Sequence, residues 1–216
     1  MSKKNGREKF LRMYEMLYKA FGPQSWWPGE TPFEVAVGAI LTQNTNWGNV
    51  EKAIANLKKA RALNPRAISG MSHDQLAELI RPSGYFNIKA RRLRHFTDFL
   101  IKQYGGSMKR MAKEDAAALR EKLLEINGIG PETADSILLY AANKPVFVID
   151  AYTKRVLSRH GITAGIGGYD DYQGLFHNAL EPDEALYNEY HALFVMLGKH
   201  YCKPKPACGG CPLGGK

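Results

Sequence analysis

Three groups of residues have types and spacings suited to chemistry: a glycine turn at Gly128-Ile129-Gly130, a carboxylate at Asp150, and cysteines at Cys202, Cys208 and Cys211. The turn lies within Leu124-Glu-Ile-Asn-Gly-Ile-Gly-Pro-Glu-Thr-Ala134. Glycine tolerates left-handed dihedrals and lets another backbone approach closely. Pro131 suits the first position of a helix, where a missing N–H leaves nothing unpaired. The amides after Gly130 would then sit at a helix N-terminus, unpaired and at the positive end of the dipole, a place for a phosphate. A Gly-x-Gly turn also occurs in plain helix–helix connections, so the reading rests on the whole string between two helices.

Asp150 follows the apolar run Val146-Phe-Val-Ile and precedes a helix. Aspartate is a good N-cap. A capping carboxylate is also held in one place, so a structural and a chemical role can coexist. The three cysteines all fall after residue 201. An odd, clustered set argues against a disulfide framework and for a metal or cluster site.

The elements that must position these groups are helical almost throughout. Phe10, Leu11, Tyr14, Leu17 and Tyr18 mark one face of a helix over residues 7–20. Thr31 and Pro32 open the next helix, residues 33–42, whose apolar residues and lack of lysine or arginine predict a central, buried position. An amphipathic helix spans 49–61. Ser72 with Gln75 forms a capping box for 74–80. A long basic helix covers 87–103, and further helices cover 114–126, 131–143, 151–159, 169–180 and 184–201. Residues 146–149 are β-branched or aromatic but too short for more than a connection. The pattern predicts an all-α protein of two lobes, with the first helix packed on the C-terminal helices.

Hydrophobic residues make up 44% and charged residues 24% of the 216-residue chain, the balance of an ordinary globular protein. No apolar run reaches the roughly 20 residues of a membrane helix, and the basic start lacks a signal-peptide core. A cytoplasmic monomer with no membrane association is expected. Thirty Lys and Arg against 21 Asp and Glu give a net charge of +9. The basic residues are dispersed, which fits a groove for nucleic acid built from several elements better than a basic tail.

The hairpin string, followed by Val-x-Val-Ile-Asp150 with Arg155 a few residues on, resembles the helix-hairpin-helix superfamily of base-excision DNA glycosylases, in the endonuclease III branch. The similarity runs from about residue 30 to Cys211. It implies a two-lobed helix-hairpin-helix glycosylase fold with the active-site cleft between the lobes. One lobe would comprise residues 1–28 and 136–216, with the cysteine loop. The other would be a central bundle, 29–135, ending in the hairpin at about 115–135. The partner implied is double-stranded DNA containing a damaged base. Gly128, Ile129, Gly130, Glu132 and Thr133 would meet its backbone, and Asp150 would stabilise positive charge on the sugar or orient the attacking water.

Leu41-Thr-Gln-Asn-Thr-Asn-Trp47 resembles the family stretch whose glutamine fills the gap left by a flipped base, a role that falls on Gln43. Pro82-Ser-Gly-Tyr-Phe-Asn-Ile-Lys-Ala90 resembles the loop that wedges the opposite strand, with Tyr85 as the wedge and Phe86 left as core. Family members that also cleave the strand carry a lysine in Gly-x-Gly-x-Lys-Thr-Ala, and that amine attacks the sugar. Here the position is Glu132. A carboxylate cannot form a Schiff base, so hydrolysis without lyase activity is expected. The alternative is an amine from elsewhere, such as Lys154.

Ser25-Trp26-Trp27-Pro28, taken with the Gln43 and Tyr85 stretches, looks like the 3-methyladenine DNA glycosylase sub-branch. Trp26, Trp27 and Trp47 would offer aromatic faces to a cationic N-alkylated purine, at about 1–2 kcal/mol each when desolvated. Gly198-Lys199 matches a Gly-Lys pair whose lysine lies by that pocket. The alternatives are a glycosylase for oxidised pyrimidines or mismatched bases, and a non-catalytic DNA-binding module. The superfamily's [4Fe-4S] loop has spacing Cys-x6-Cys-x2-Cys-x5-Cys. Here Cys202-x5-Cys208-x2-Cys211 is one residue shorter at the start, and the fourth cysteine would fall at position 217, one past Lys216, so that either the native protein continues or the cluster has been lost; the sub-branch itself can lack a cluster. A structural cluster holding a basic loop (Lys203, Lys205) against DNA is the expectation, with zinc or an empty loop as the alternative.

Overall fold

The computed structural model describes residues 3–26, 29–162 and 167–214. Among them there is no strand, and the fold is all-α. The chain divides into two compact units: Met1–Trp26 with Pro145–Lys216, and Trp27–Lys144.

The larger internal unit is arranged around helix α2 (Pro32–Leu41). Thr31 caps it as the sequence predicts, its hydroxyl accepting the Glu34 N–H at 3.2 Å. Nearly every residue of α2 is buried, including Glu34, which is paired with Lys58 at 2.9 Å. Around it pack α3 (Trp47–Lys59), α6 (Phe86–Tyr104) and α9 (Pro131–Ser136). Two short helices, α4 (Pro65–Gly70) and α5 (His73–Leu79), lie along α6. The capping box at Ser72 and Gln75 is formed. Turn-like α7 (Met108–Met111) leads to α8 (Ala116–Leu124), which forms the hairpin with α9.

The helix expected over 131–143 is not uniform. It widens after Ser136 into a π-helical turn, Ile137–Ala141, whose five residues are all buried. This turn packs on α2. Residues 136–144 therefore belong with the central bundle, and the break expected near residue 135 lies at 144/145.

In the other unit, α1 (Lys3–Phe21) packs against α11 (Tyr169–Ala179) and α12 (Glu184–His200). The cause is an aromatic core. Phe10 meets Phe176 at 4.7 Å between centroids, Tyr14 meets Tyr190 at 5.3 Å, and the Tyr190 hydroxyl donates to the Phe10 carbonyl at 2.9 Å. Burying each such ring contributes about 1.5–3 kcal/mol. Helix α10 (Ala151–Arg159) packs on α12. That contact depends on Gly198, because a Cβ there would collide with the Tyr152 ring.

Candidate active site and DNA interface

Residues 146–149 deliver Asp150 to the start of α10, as a buried segment of irregular structure and not as a strand. Part of its backbone is satisfied by side chains of α11. The Phe147 N–H donates to His177 Nε2 at 3.0 Å, Gln173 Nε2 donates to the Phe147 carbonyl at 2.7 Å, and the Ile149 N–H donates to the Tyr169 hydroxyl at 3.1 Å. Phe147 also stacks on Phe176, with centroids 3.6 Å apart. A segment with its polar groups so paired needs no sheet.

Asp150 is the N-cap of α10, with Oδ1 accepting the Thr153 N–H at 2.7 Å. Its Oδ2 lies 3.7 Å from His191 Nε2 on α12, an ion-pair distance. Only 14% of the carboxylate side chain is exposed. Burial opposes its ionisation, but His191 and the Thr153 contacts outweigh burial and hold the carboxyl below its ordinary value. The result is a fixed, charged carboxylate at the positive end of a helix. Sequence reasoning missed His191. It lies 41 residues downstream of Asp150, within an apolar helix, and no spacing rule links the two.

The same unit brings two expected pocket residues together. The Lys199 ammonium lies over the Trp26 ring, 5.6 Å from its centroid. Trp27 lies outside the described residues. Lys154 is turned toward the rings of Tyr169 and Tyr172, at 5.7 and 5.6 Å.

The cysteine loop is held by arginines of α10. Arg155 Nε donates to the Cys202 carbonyl at 2.6 Å, and Arg159 reaches the Lys203 and Pro204 carbonyls at 2.6 and 2.9 Å. Arg159 Nη1 also donates to Cys202 Sγ at 3.3 Å. Cys202 is buried, Cys208 exposed and Cys211 half-buried. Among the described residues no group of three His, Cys, Asp or Glu side chains converges as a metal site.

The central unit holds the expected DNA contacts. In the hairpin, Gly128 has φ +93°, and a Cβ there would collide with the Arg92 side chain. Gly130 differs: its φ is −95°, and the space where a Cβ would lie is open. It caps α9 without a side-chain hydrogen bond. Ile129 is buried, its N–H donating to the Ile126 carbonyl at 3.0 Å, and Glu132 is exposed. Thr133 is buried, and its hydroxyl oxygen accepts from Gln43 Nε2 at 2.9 Å. The same amide donates to the Gly128 carbonyl at 3.1 Å, and Arg92 donates to Gln43 Oε1. Gln43 is thus docked on the hairpin. A buried ion pair, Arg120 Nε to Asp135 Oδ1 at 2.7 Å, clamps α8 to α9.

Tyr85 is 67% exposed and has φ +46° at the start of α6. A bulky residue in that region is a costly conformation held by its surroundings. Phe86 is half-buried under Arg81. Trp47 packs its ring on Gly38 of α2 and donates its indole N–H to Glu51 at 3.1 Å.

The sequence profile of the HhH-GPD superfamily base excision DNA repair proteins matches residues 37–182, and the chain belongs to this family. It is 48% identical over 213 residues to the "putative DNA repair glycosylase" of Methanocaldococcus jannaschii, covering 98% of this chain and 96% of that one. It is 28% identical to endonuclease III of Thermotoga maritima, over 84% of this chain and 80% of that one. Among solved structures it is similar to the Helicobacter pylori 3-methyladenine DNA glycosylase MagIII bound to 1,N6-ethenoadenine, with a TM-score of 0.74 and 32% identity over 90% of this chain and 97% of that one. A trapped endonuclease III–DNA covalent intermediate shares the fold, with a TM-score of 0.81 at 21% identity over 96% and 93% of the two chains.

Proposed function

We propose that this base-excision repair glycosylase releases N-alkylated purines of the 3-methyladenine type from double-stranded DNA by hydrolysis, without cleaving the strand. The observation that carries the reading is Asp150: a buried, charged carboxylate capping α10, in a chain with Glu132 where a lyase would have lysine. As the C1′–N bond breaks, its electrons pass to the base and positive charge grows on the sugar. Asp150 stabilises that charge, and water completes the substitution at C1′. An alkylated purine is already cationic and leaves neutral, so no acid is required. The Trp26 ring is a cation–π acceptor, carrying the Lys199 ammonium over its face, and a cationic base would compete with that ammonium for it. The 32% identity to a 3-methyladenine glycosylase supports the same substrate class. Gln43 would fill the vacated space and Tyr85 would wedge the opposite strand. Gly128, Ile129, Gly130, Glu132 and Thr133 would form the phosphate-gripping hairpin, with Ile129 and Thr133 acting from inside it. The cysteines take no part in this chemistry.

The test is base release from duplexes carrying 3-methyladenine, 7-methylguanine, thymine glycol or uracil, with borohydride added in parallel. Release of the methylated purines with no covalent adduct is expected. Release of only thymine glycol or uracil would overturn the substrate assignment, and a trapped adduct would overturn the hydrolytic one.

A further inference from the structure

Among the described residues Lys89 is the most deeply buried basic side chain, with 1% of its surface exposed. Its ammonium donates to the Leu41 carbonyl at 2.8 Å and to the Ser83 carbonyl at 2.6 Å. Leu41 ends α2, two residues before Gln43, and Ser83 ends the turn two residues before Tyr85. From this geometry we infer that Lys89 is a positioning residue that ties the Gln43 loop to the Tyr85 loop, so that the two enter DNA as one rigid unit.

A cation at the end of α2 meets a carbonyl the helix leaves unpaired and the negative end of its dipole. A structural cap of that kind is common at surfaces, where lysine keeps its hydration. Here the amine is desolvated and lies near Arg92, which together lower its pKa to about 8. Burying the charge opposes stability, so the group is a poor device for stability alone. What it provides is a fixed distance between two backbones 42 residues apart in sequence (41 to 83). Both loops are held in unusual conformations that a tie would preserve: Asn44 has φ +54° and Tyr85 has φ +46°. One turn further along α6, Arg92 donates to Gln43 Oε1. The first turns of α6 thus hold both the backbone and the side chain of the gap-filling loop.

The inference rests on the proposed roles of Gln43 and Tyr85, and the test separates the two. The probe is a duplex with 2-aminopurine opposite a tetrahydrofuran abasic analogue, whose fluorescence rises when the stack is opened; no base release is needed. Lys89→Met should fold by circular dichroism and lose the fluorescence rise at saturating protein about as fully as the Gln43→Ala, Tyr85→Ala double variant, by roughly threefold or more. In the unaltered background, Gln43→Ala and Tyr85→Ala should each remove most of the rise, with little further loss in the double variant. A full rise from folded Lys89→Met would overturn the tie. So would independent, multiplicative losses from the two single variants, a result that decides the matter even where Lys89→Met fails to fold. If neither single variant changes the rise, the loops do not penetrate DNA, and the failure is that of their assigned roles.

Discussion

At the scale of single residues, the proposed chemistry depends on how Asp150 is kept charged. Its carboxyl titrates below its ordinary value of 3.8 in the fold, because His191 and the Thr153 contacts outweigh burial. A depressed carboxyl pKa contributes stability above the unfolded value and loses it as the pH falls through the folded one. Asparagine keeps the helix cap but not the charge. Chemical denaturation should therefore show the stability of the native chain relative to Asp150→Asn declining as pH falls below about 4. At neutral pH, Asp150→Asn should slow single-turnover base release by about 10²–10⁴-fold with DNA affinity retained. His191 acts through that carboxylate, so His191→Leu should slow the same step by a smaller factor. His191→Gln, which keeps a donor near the Nε2 position, should recover most of it. Equal losses for both His191 variants would mean that the histidine serves packing alone. Glu132 carries the complementary prediction. Glu132→Lys supplies the amine that the lyase motif requires, and borohydride trapping on a DNA substrate should become positive, against an expected absence of adduct with the native chain.

At the scale of elements, the two glycines of the hairpin separate what the fold demands from what a ligand demands. Gly128 has a positive φ and the Arg92 side chain where a Cβ would be. Gly128→Ala should cost about 1–3 kcal/mol in chemical unfolding and push Arg92 away from Gln43. Gly130 has an ordinary φ and open space, so Gly130→Ala should still fold, losing only about 0.5–1 kcal/mol from the weaker N-cap. Its DNA affinity should nevertheless fall if a phosphate backbone approaches that surface, and unchanged affinity would remove Gly130 from the interface. The sequence made the hairpin legible but not this division of labour, because both glycines look alike in a string. Local signals were read well: the Thr31 cap, the Ser72 capping box and the buried character of α2 follow from neighbours a few residues apart. Pairings over longer range were not. Asp135 in the hairpin gives no sign that Arg120 will reach it, and Lys89, within a basic stretch, looks like a solvated cation. The π-helical turn at Ile137–Ala141 has no compositional mark, since its apolar residues fit an α-helix equally well.

At the scale of the whole molecule, the net charge of +9 overstates the cation density available to DNA. Arg92, Arg120, Arg155 and Arg159 are engaged with Gln43, Asp135 and the cysteine loop, and Lys89 is buried under two carbonyls. These groups set internal geometry. If all nine excess charges met phosphates, the logarithm of the binding constant would fall against the logarithm of salt with a slope near −8, at about 0.9 per contact. With part of the basic set turned inward, and with the charge-free contacts proposed for the hairpin amides, a slope of about −4 is expected for undamaged duplex. Fluorescence anisotropy between low and moderate salt measures it. A slope near −8 would show that the inward arginines rearrange to meet DNA. The rate of base release from saturated enzyme should change little over the same range, because Asp150 and His191 are both largely shielded from solvent and buried pairs are screened far less than surface ones. A release rate that falls as steeply as affinity would place the carboxylate in contact with bulk salt, contrary to its burial beside α12.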